Sequence, residues 1–305
     1  MDTDVPLGAV LVGLDESAHS ARALSWAADE ARRRHVPLHL MHVLDDLAWV
    51  HLVAEGTPYP MRKVVGDALV MLRDWDPDLK VTWSQRAGDP AARLAIGAQA
   101  ARMTVIGSHG RGAVSQIVLG SVATELIAET RCPVAVLRAD TPIPRPNAPV
   151  VVGIGGDKSF TAVLDAAFEE AHSRQVDLVV VHTWNVDAST VVDGLELEGL
   201  PESEARSHET ALLQRTIAAH ARSHPDVGVT VHAVHDGAAR TLQHYSAGAA
   251  LLVVGSRGRG EIGGAVLGSV SQDLVRSAAC PVLVVRGGRT TMAVAADERP
   301  AGARS

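Results

Sequence analysis

Two glycine-rich segments carry the residues best suited to chemistry. Gly107-Ser108-His109-Gly110-Arg111-Gly112 leads on to Gly120-Ser121-Val122, and Gly255-Ser256-Arg257-Gly258-Arg259-Gly260 leads on to Gly268-Ser269-Val270. Both read G-x2-G-x9-G-S. When Val105–Arg138 is laid over Val253–Arg286, 17 of 34 positions are identical, so the chain contains a repeat rather than two unrelated turns. The chemistry this suits is phosphate binding. Gly107 and Gly110 allow a tight turn and a close approach of backbone to an anion. Each Gly-Ser pair opens a helix, where free N–H groups and the helix dipole favour phosphate oxygens. The Ser121 hydroxyl can donate to phosphate or join a metal's shell, Arg111 adds a full positive charge, and His109 lies within the loop. The plain alternative is a glycine-rich turn followed by an ordinary serine cap. Recurrence of the whole pattern at a strand end favours the binding reading.

A carboxylate stands near the first loop by fold logic. In open α/β sheets ligands bind at the carboxyl ends of the strands. Three segments meet there: the turn Gly13-Leu14-Asp15-Glu16-Ser17 after strand one, the end of strand two near Val43, and the glycine loop after strand four. Asp15 could accept from ribose hydroxyls or hold Mg²⁺ through water. In the second copy the place of Asp15 is taken by Gly155, with Asp157 two residues on. The two pockets are therefore not expected to bind alike.

The elements that position these residues repeat as well. Ala9–Leu14 and Val150–Ile154 read as buried first strands, and Leu38–Leu44 and Leu178–Trp184 as second strands. Helical spacing covers Ser20–Arg34 and Phe160–Arg174, where Ala23, Leu24, Ala27 and Ala31 match Val163, Leu164, Ala167 and Ala171. Further helices are expected over Met61–Arg73 and Glu204–Ser223, Pro90–Ala101 and Ala238–Ala247, and Ser121–Glu129 and Ser269–Ser277. Third strands fall at Lys80–Arg86 and Val229–Val234, fourth at Met103–Ile106 and Leu251–Val254, and fifth at Val134–Leu137 and Val282–Val285. The offset between copies grows from 140 to 148, so the second copy holds eight extra residues, placed around the acidic stretch Val186–Glu204. Alternating strands and helices imply α/β architecture, with two tandem Rossmann-like units. Each should be a five-stranded parallel sheet with helices on both faces. The expected division is 1–140, a proline-rich extended linker at 141–149, 150–287, and a tail at 288–305.

Bulk properties narrow the function classes. The length of 305 residues fits two domains, and 47% apolar content is enough for real cores. A net charge of -7 argues against a broad nucleic-acid or anionic-membrane surface. No stretch is long and apolar enough to span a bilayer, and the acidic start Met1-Asp2-Thr3-Asp4 lacks a signal peptide's basic region. A cytoplasmic location is expected.

Other residues invite sharper readings. Cys132 and Cys280 hold matching positions in Cys-Pro-Val steps and read as small buried hydrophobes, with a redox thiol or interdomain disulfide as the alternative. His35/His39 and His220/His224 have metal-like spacing, but one pair flanks Pro37 and the other ends a helix before Pro225. His42 and His182 match at strand ends and read as bonded to backbone, with ligand contact as the alternative. Arg32-Arg33-Arg34 reads as the solvated end of a helix.

Taken with the opening Val-Gly-Leu-Asp-Glu-Ser, the two G-x2-G-x9-G-S elements make the chain resemble a tandem universal stress protein of the ATP-binding type. The resemblance covers both units, apart from linker and tail. It implies ATP, with Mg²⁺, as ligand. It places adenine near the Val43 backbone, Gly13 and Asp15 beside ribose and phosphate, and the triphosphate against Gly107–Gly112 and Gly120-Ser121-Val122. Unit two would use Gly153, Gly255–Gly260 and Gly268-Ser269-Val270. The family's role would be a nucleotide-dependent stress sensor or regulator, and the alternative is a slow ATP-hydrolysing or phosphotransfer enzyme. No Walker A lysine, kinase catalytic loop or obvious base accompanies either glycine loop. Gly155-Gly156-Asp157-Lys158-Ser159 is faintly similar to a pyrophosphatase loop, but its first serine is Ile154. The resemblance also implies units packed through their last strands, a homodimer of tandem chains, and an unidentified protein partner.

Overall fold

The computed structural model describes residues 4–44, 63–110, 119–155, 160–183, 191–192, 195–196, 202–256 and 267–286. Unit one runs β1 (Val10–Leu14), α1 (Ala18–Arg33), β2 (Leu38–Leu44), α2 (Lys63–Trp75), β3 (Val81–Ala87), α3 (Pro90–Ala98), β4 (Met103–Gly107), α4 (Ser121–Glu129) and β5 (Val134–Leu137). Unit two runs β6 (Val150–Ile154), α5 (Thr161–Arg174), β7 (Leu178–Thr183), the short strands β8 (Val191–Val192) and β9 (Leu195–Glu196), then α6 (Glu202–Ser223). It continues with β10 (Val229–Val234), α7 (Ala238–Ser246), β11 (Leu251–Gly255), α8 (Ser269–Ser277) and β12 (Val282–Val285). The β8–β9 hairpin lies in the stretch where the second copy is longer.

Each unit is the five-stranded parallel sheet expected, ordered β3-β2-β1-β4-β5 and β10-β7-β6-β11-β12. The two sheets are continuous. β12 pairs antiparallel with β5, Val282 opposite Val136 and Val284 opposite Val134, giving ten strands. The units therefore meet through their last strands.

Local chemistry explains the boundaries. Ser17, in extended conformation, caps α1 by accepting the Ser20 N–H, and Asp89 caps α3 by accepting the Ala92 N–H just before Pro90. His35 (φ 53°) and Gln175 (φ 56°) hold equivalent places and turn left-handed to end α1 and α5. The N–H groups of Val36 and Val176 then reach back to the carbonyls of Ala31 and Ala171. The linker has no regular secondary structure and turns at Pro146-Asn147, where the Ala148 N–H donates to the Arg145 carbonyl and Asn147 has φ 59°.

Two apolar cores, one on each sheet face, run through both units. One joins α1, α2, α5 and α6 to the sheet through Leu24, Leu72, Phe168 and Ile217. The other joins α3, α4, α7 and α8 through Leu94, Leu126, Leu242 and Leu274.

The expectation that Arg32-Arg33-Arg34 is a solvated helix end is corrected. Only Arg32 stays largely exposed, its guanidinium over the Trp75 ring at 4.8 Å. Arg34 is buried at the seam with Arg174, its equivalent in unit two. Each arginine pairs with its own unit's glutamate, Arg34 with Glu30 at 3.3 Å and Arg174 with Glu170 at 2.7 Å, and each crosses to the other unit's glutamate. The arginines are buried because another unit covers the helix end, which a single helix's charge pattern does not reveal. On the opposite face Arg138 donates to the carbonyl of Arg276 in the last turn of α8, and its equivalent Arg286 donates to Ala128 in the last turn of α4.

The cysteines are free, and burial pushes each thiol up to about 12, which fits the small-hydrophobe reading. His39 is buried in β2 with its ring nitrogens 2.8 Å from Thr82 Oγ1 and 2.9 Å from Ser84 Oγ. His224 Nδ1–H donates to the His220 carbonyl, and His220 faces Asp165 at 3.1 Å. Among the described residues no group of three or more His, Cys, Asp or Glu side chains is placed to hold a metal ion.

Candidate nucleotide-binding site

The strand order reverses between β1 and β4, and the crevice at their carboxyl ends is where an open α/β sheet takes ligands. The turn after β1 is held by its own side chains. Asp15 Oδ1 accepts the Ser17 N–H at 2.9 Å and the Ser17 hydroxyl at 2.5 Å, while the Asp15 N–H donates to Ser20 Oγ at 2.9 Å. Asp15 Oδ2 faces the glycine loop. A Cβ built on Gly110 would lie 2.9 Å from it, so the glycine leaves room for the carboxylate beside the loop.

The glycines divide by what surrounds them. Gly110 opens onto Asp15. A Cβ on Gly107 would lie 2.7 Å from His19 Cβ and 3.0 Å from the Ser20 nitrogen, so this glycine lets β4 approach the start of α1. At Gly13 a Cβ would press on Leu94 and Ile106, and at Gly153 on Leu242, so the missing side chains at both make room for helices α3 and α7. None of these four has positive φ. Packing against α1 is thus a role of Gly107 that its residue type alone does not reveal.

The start of α4 differs from expectation in one respect. The Gly120 N–H is not free: it donates to the Ser108 carbonyl at 2.9 Å, and the Ser108 N–H donates to Leu137 at 2.7 Å. Unit two repeats both bonds, Gly268 to Ser256 at 2.8 Å and Ser256 to Val285 at 2.9 Å. They fasten each loop to its helix. No side chain caps Gly120 or Gly268, so the first-turn N–H groups from Ser121 and Ser269 onward remain the helix's contribution. Ser121 and Ser269 are exposed, and Val122 and Val270 half-buried.

Val43 is half-buried at the end of β2, opposite Arg86. His42 donates Nδ1–H to Leu14 at 2.7 Å, and His182 does the same to Ile154 at 3.1 Å, so both strand-end histidines are bonded to backbone. Arg111, Gly112, Asp157, Arg257, Gly258, Arg259 and Gly260 lie outside the described residues.

One member of the site was not found in the sequence. His19, in the first turn of α1, lies 3.0 Å through Nδ1 from Ser108 Oγ, which is also 3.0 Å from His109 Nδ1. The imidazole rings are 5.1 Å apart. Its place, four residues after Asp15 on the helix beside the loop, was the available signal. Burial first, then the charge of His109, lowers the pKa of His19. His109 is buried, and its Nε2 has no hydrogen-bond partner among the described residues.

The profile of the universal stress protein family matches residues 7–138 and again 147–286. The chain belongs to this family. A universal stress protein of Mycobacterium tuberculosis strain H37Rv is 36% identical over 294 residues, 91% of this chain and 96% of that one. A Mycolicibacterium smegmatis universal stress protein is 33% identical over 290 residues, again covering 91% and 96%. The crystal structure of an Archaeoglobus fulgidus universal stress protein superposes with a TM-score of 0.61 at 18% identity, over 92% of this chain and 98% of that one. The family profile matches twice in one chain, so this is a tandem universal stress protein. No helix among the described residues is long and apolar enough to cross a membrane.

Proposed function

We propose that this universal stress protein binds ATP, with Mg²⁺, in unit one and acts as a nucleotide-dependent regulator of a stress response. The observation that carries the reading is the convergence at the β1–β4 crevice. There the Asp15 carboxylate, the side-chain-free face of Gly110 and the uncapped start of α4 stand together. A phosphate chain suits that set: backbone N–H groups at Ser121 and Val122 supply donors, and Asp15 suits ribose hydroxyls or a water-held Mg²⁺. Bound ATP supplies negative charge that the loop and helix start can hold, and its presence or absence would bias which partner the protein engages. Unit two keeps the loop and helix start, but Gly155 replaces the carboxylate, which supports weaker or metal-independent binding there. A homodimer of tandem chains in the cytoplasm, meeting a protein partner, completes the proposal.

The enzyme alternative keeps the same pocket and adds slow hydrolysis or phosphoryl transfer. Denaturing the purified protein, identifying released nucleotide and following ADP formation over time separates the two. Released ATP without turnover supports the regulator. Steady ADP formation supports the enzyme. No nucleotide bound under any condition overturns both.

A further inference from the structure

Three hydrogen bonds fix the protonation of the two histidines at unit one's loop. The Ala139 N–H donates to His19 Nδ1 at 3.0 Å, so this nitrogen carries no proton. Ser108 Oγ lies 3.0 Å from the same nitrogen, and two lone pairs cannot face each other there. The serine hydroxyl must therefore donate to His19. The serine oxygen is then left to accept, and the only donor reaching it from His109 is Nδ1–H, at 3.0 Å. His109 is thus locked with its first proton on Nδ1. When neutral it presents a bare lone pair at Nε2, the buried atom without a partner.

A bare lone pair repels a phosphate oxygen, whereas an N–H attracts it. The Ser108–His19 arrangement prevents His109 from moving its single proton to Nε2. The remaining way for Nε2 to donate is to acquire a second proton. Among the described residues, the other charged groups that act on His19 are Asp15 in the turn before α1, and Arg138 and Asp140 after β5. In unit two Arg257 stands at the place of His109 and Ser159 at the place of His19. Arginine is charged at every relevant pH and needs no proton.

We infer that phosphate binding in unit one takes up a proton on His109, whereas binding in unit two does not. The chain would hold one pH-linked and one pH-independent pocket. The inference rests on the ATP reading and adds its regulation.

Calorimetric titration of the full chain with Mg-ATP, in two buffers of different ionisation enthalpy, reads the proton count directly. Wild type should take up close to one more proton than His109→Arg, a difference that cancels the nucleotide's own titration. From about pH 7 to pH 9, where imidazoles are largely neutral, wild-type affinity in unit one should fall toward tenfold per pH unit relative to the variant. Ser108→Ala releases the lock, so its extra proton uptake should shrink even where binding persists. A merely structural serine would alter affinity and leave the proton count unchanged. Equal proton counts in wild type and both variants, with ATP bound, overturn the linkage alone. No binding heat at all overturns the nucleotide reading together with it.

Discussion

Glu30 and Glu170 occupy equivalent positions in the two units and meet at the seam, where Arg34 and Arg174 each touch both. Burial works to raise Glu30, but the guanidiniums of Arg174, Arg33 and Arg34 outweigh it and hold its carboxyl below the usual range. Arg33 donates to Glu30 at 2.6 Å. Burial pushes Glu170 the other way, above that range. Equivalent residues thus diverge. Glu170→Gln should destabilise the protein by about 3–5 kcal/mol, because it leaves buried guanidinium charge short of a partner. Chemical denaturation of the full chain measures this. A loss below about 1 kcal/mol, as for an exposed pair, would show that water reaches the seam.

His39 gives the protein an acid-sensitive point. It is fully buried and pushed down to about 4 from 6.5, chiefly by burial. A histidine with a depressed folded pKa binds its proton more readily in the unfolded chain. Stability is therefore full above 6.5 and is lost as pH falls from there toward 4. Unit two has Val179 at the same place. His39→Val should flatten the pH dependence of the urea midpoint in that window, by about 3 kcal/mol at its acid end. An unchanged slope would assign the acid sensitivity elsewhere.

Glycine substitutions should separate packing from binding. Gly107→Ala drives a methyl into the backbone of α1's first turn, which cannot yield as a side-chain tip can, and should cost about 1–3 kcal/mol of stability. Gly110→Ala meets, among the described residues, the Asp15 carboxylate alone and should weaken ATP binding in unit one while barely moving the melting temperature. If both variants lose stability and binding in the same proportion, the division of roles is wrong.

Gly155→Asp offers the converse test. Among the described residues nothing lies within 4 Å of a Cβ placed there. The substitution restores the carboxylate that unit one has at Asp15. Nucleotide affinity in unit two should become Mg²⁺-dependent, as read by titration with and without chelator. No change would remove Asp15's proposed role in unit one as well.

Much of this fold was legible because the repeat checks itself. β5, β12, α4 and α8 have the bounds expected from sequence, since short runs such as Val134–Leu137 admit one reading when the same pattern returns 148 residues later. The glycine loops and Asp15 were legible from residue type. Three things were not. Gly107 and Gly13 have the same letter as Gly110, and only the neighbouring atoms show that they make room for helices. Arg34 reads as solvated until a second unit covers it. His19 becomes part of the site only when α1 is laid beside β4.

The antiparallel pairing of β5 with β12 carries a geometric consequence. Strands within each unit run parallel, so reversing direction at the seam sends the carboxyl ends of the two half-sheets to opposite edges. The carboxyl ends of β4 and β11, which lead into the two glycine motifs, consequently lie at opposite edges of the ten-stranded sheet. The difference between Asp15 and Gly155 therefore falls at opposite edges of one continuous sheet.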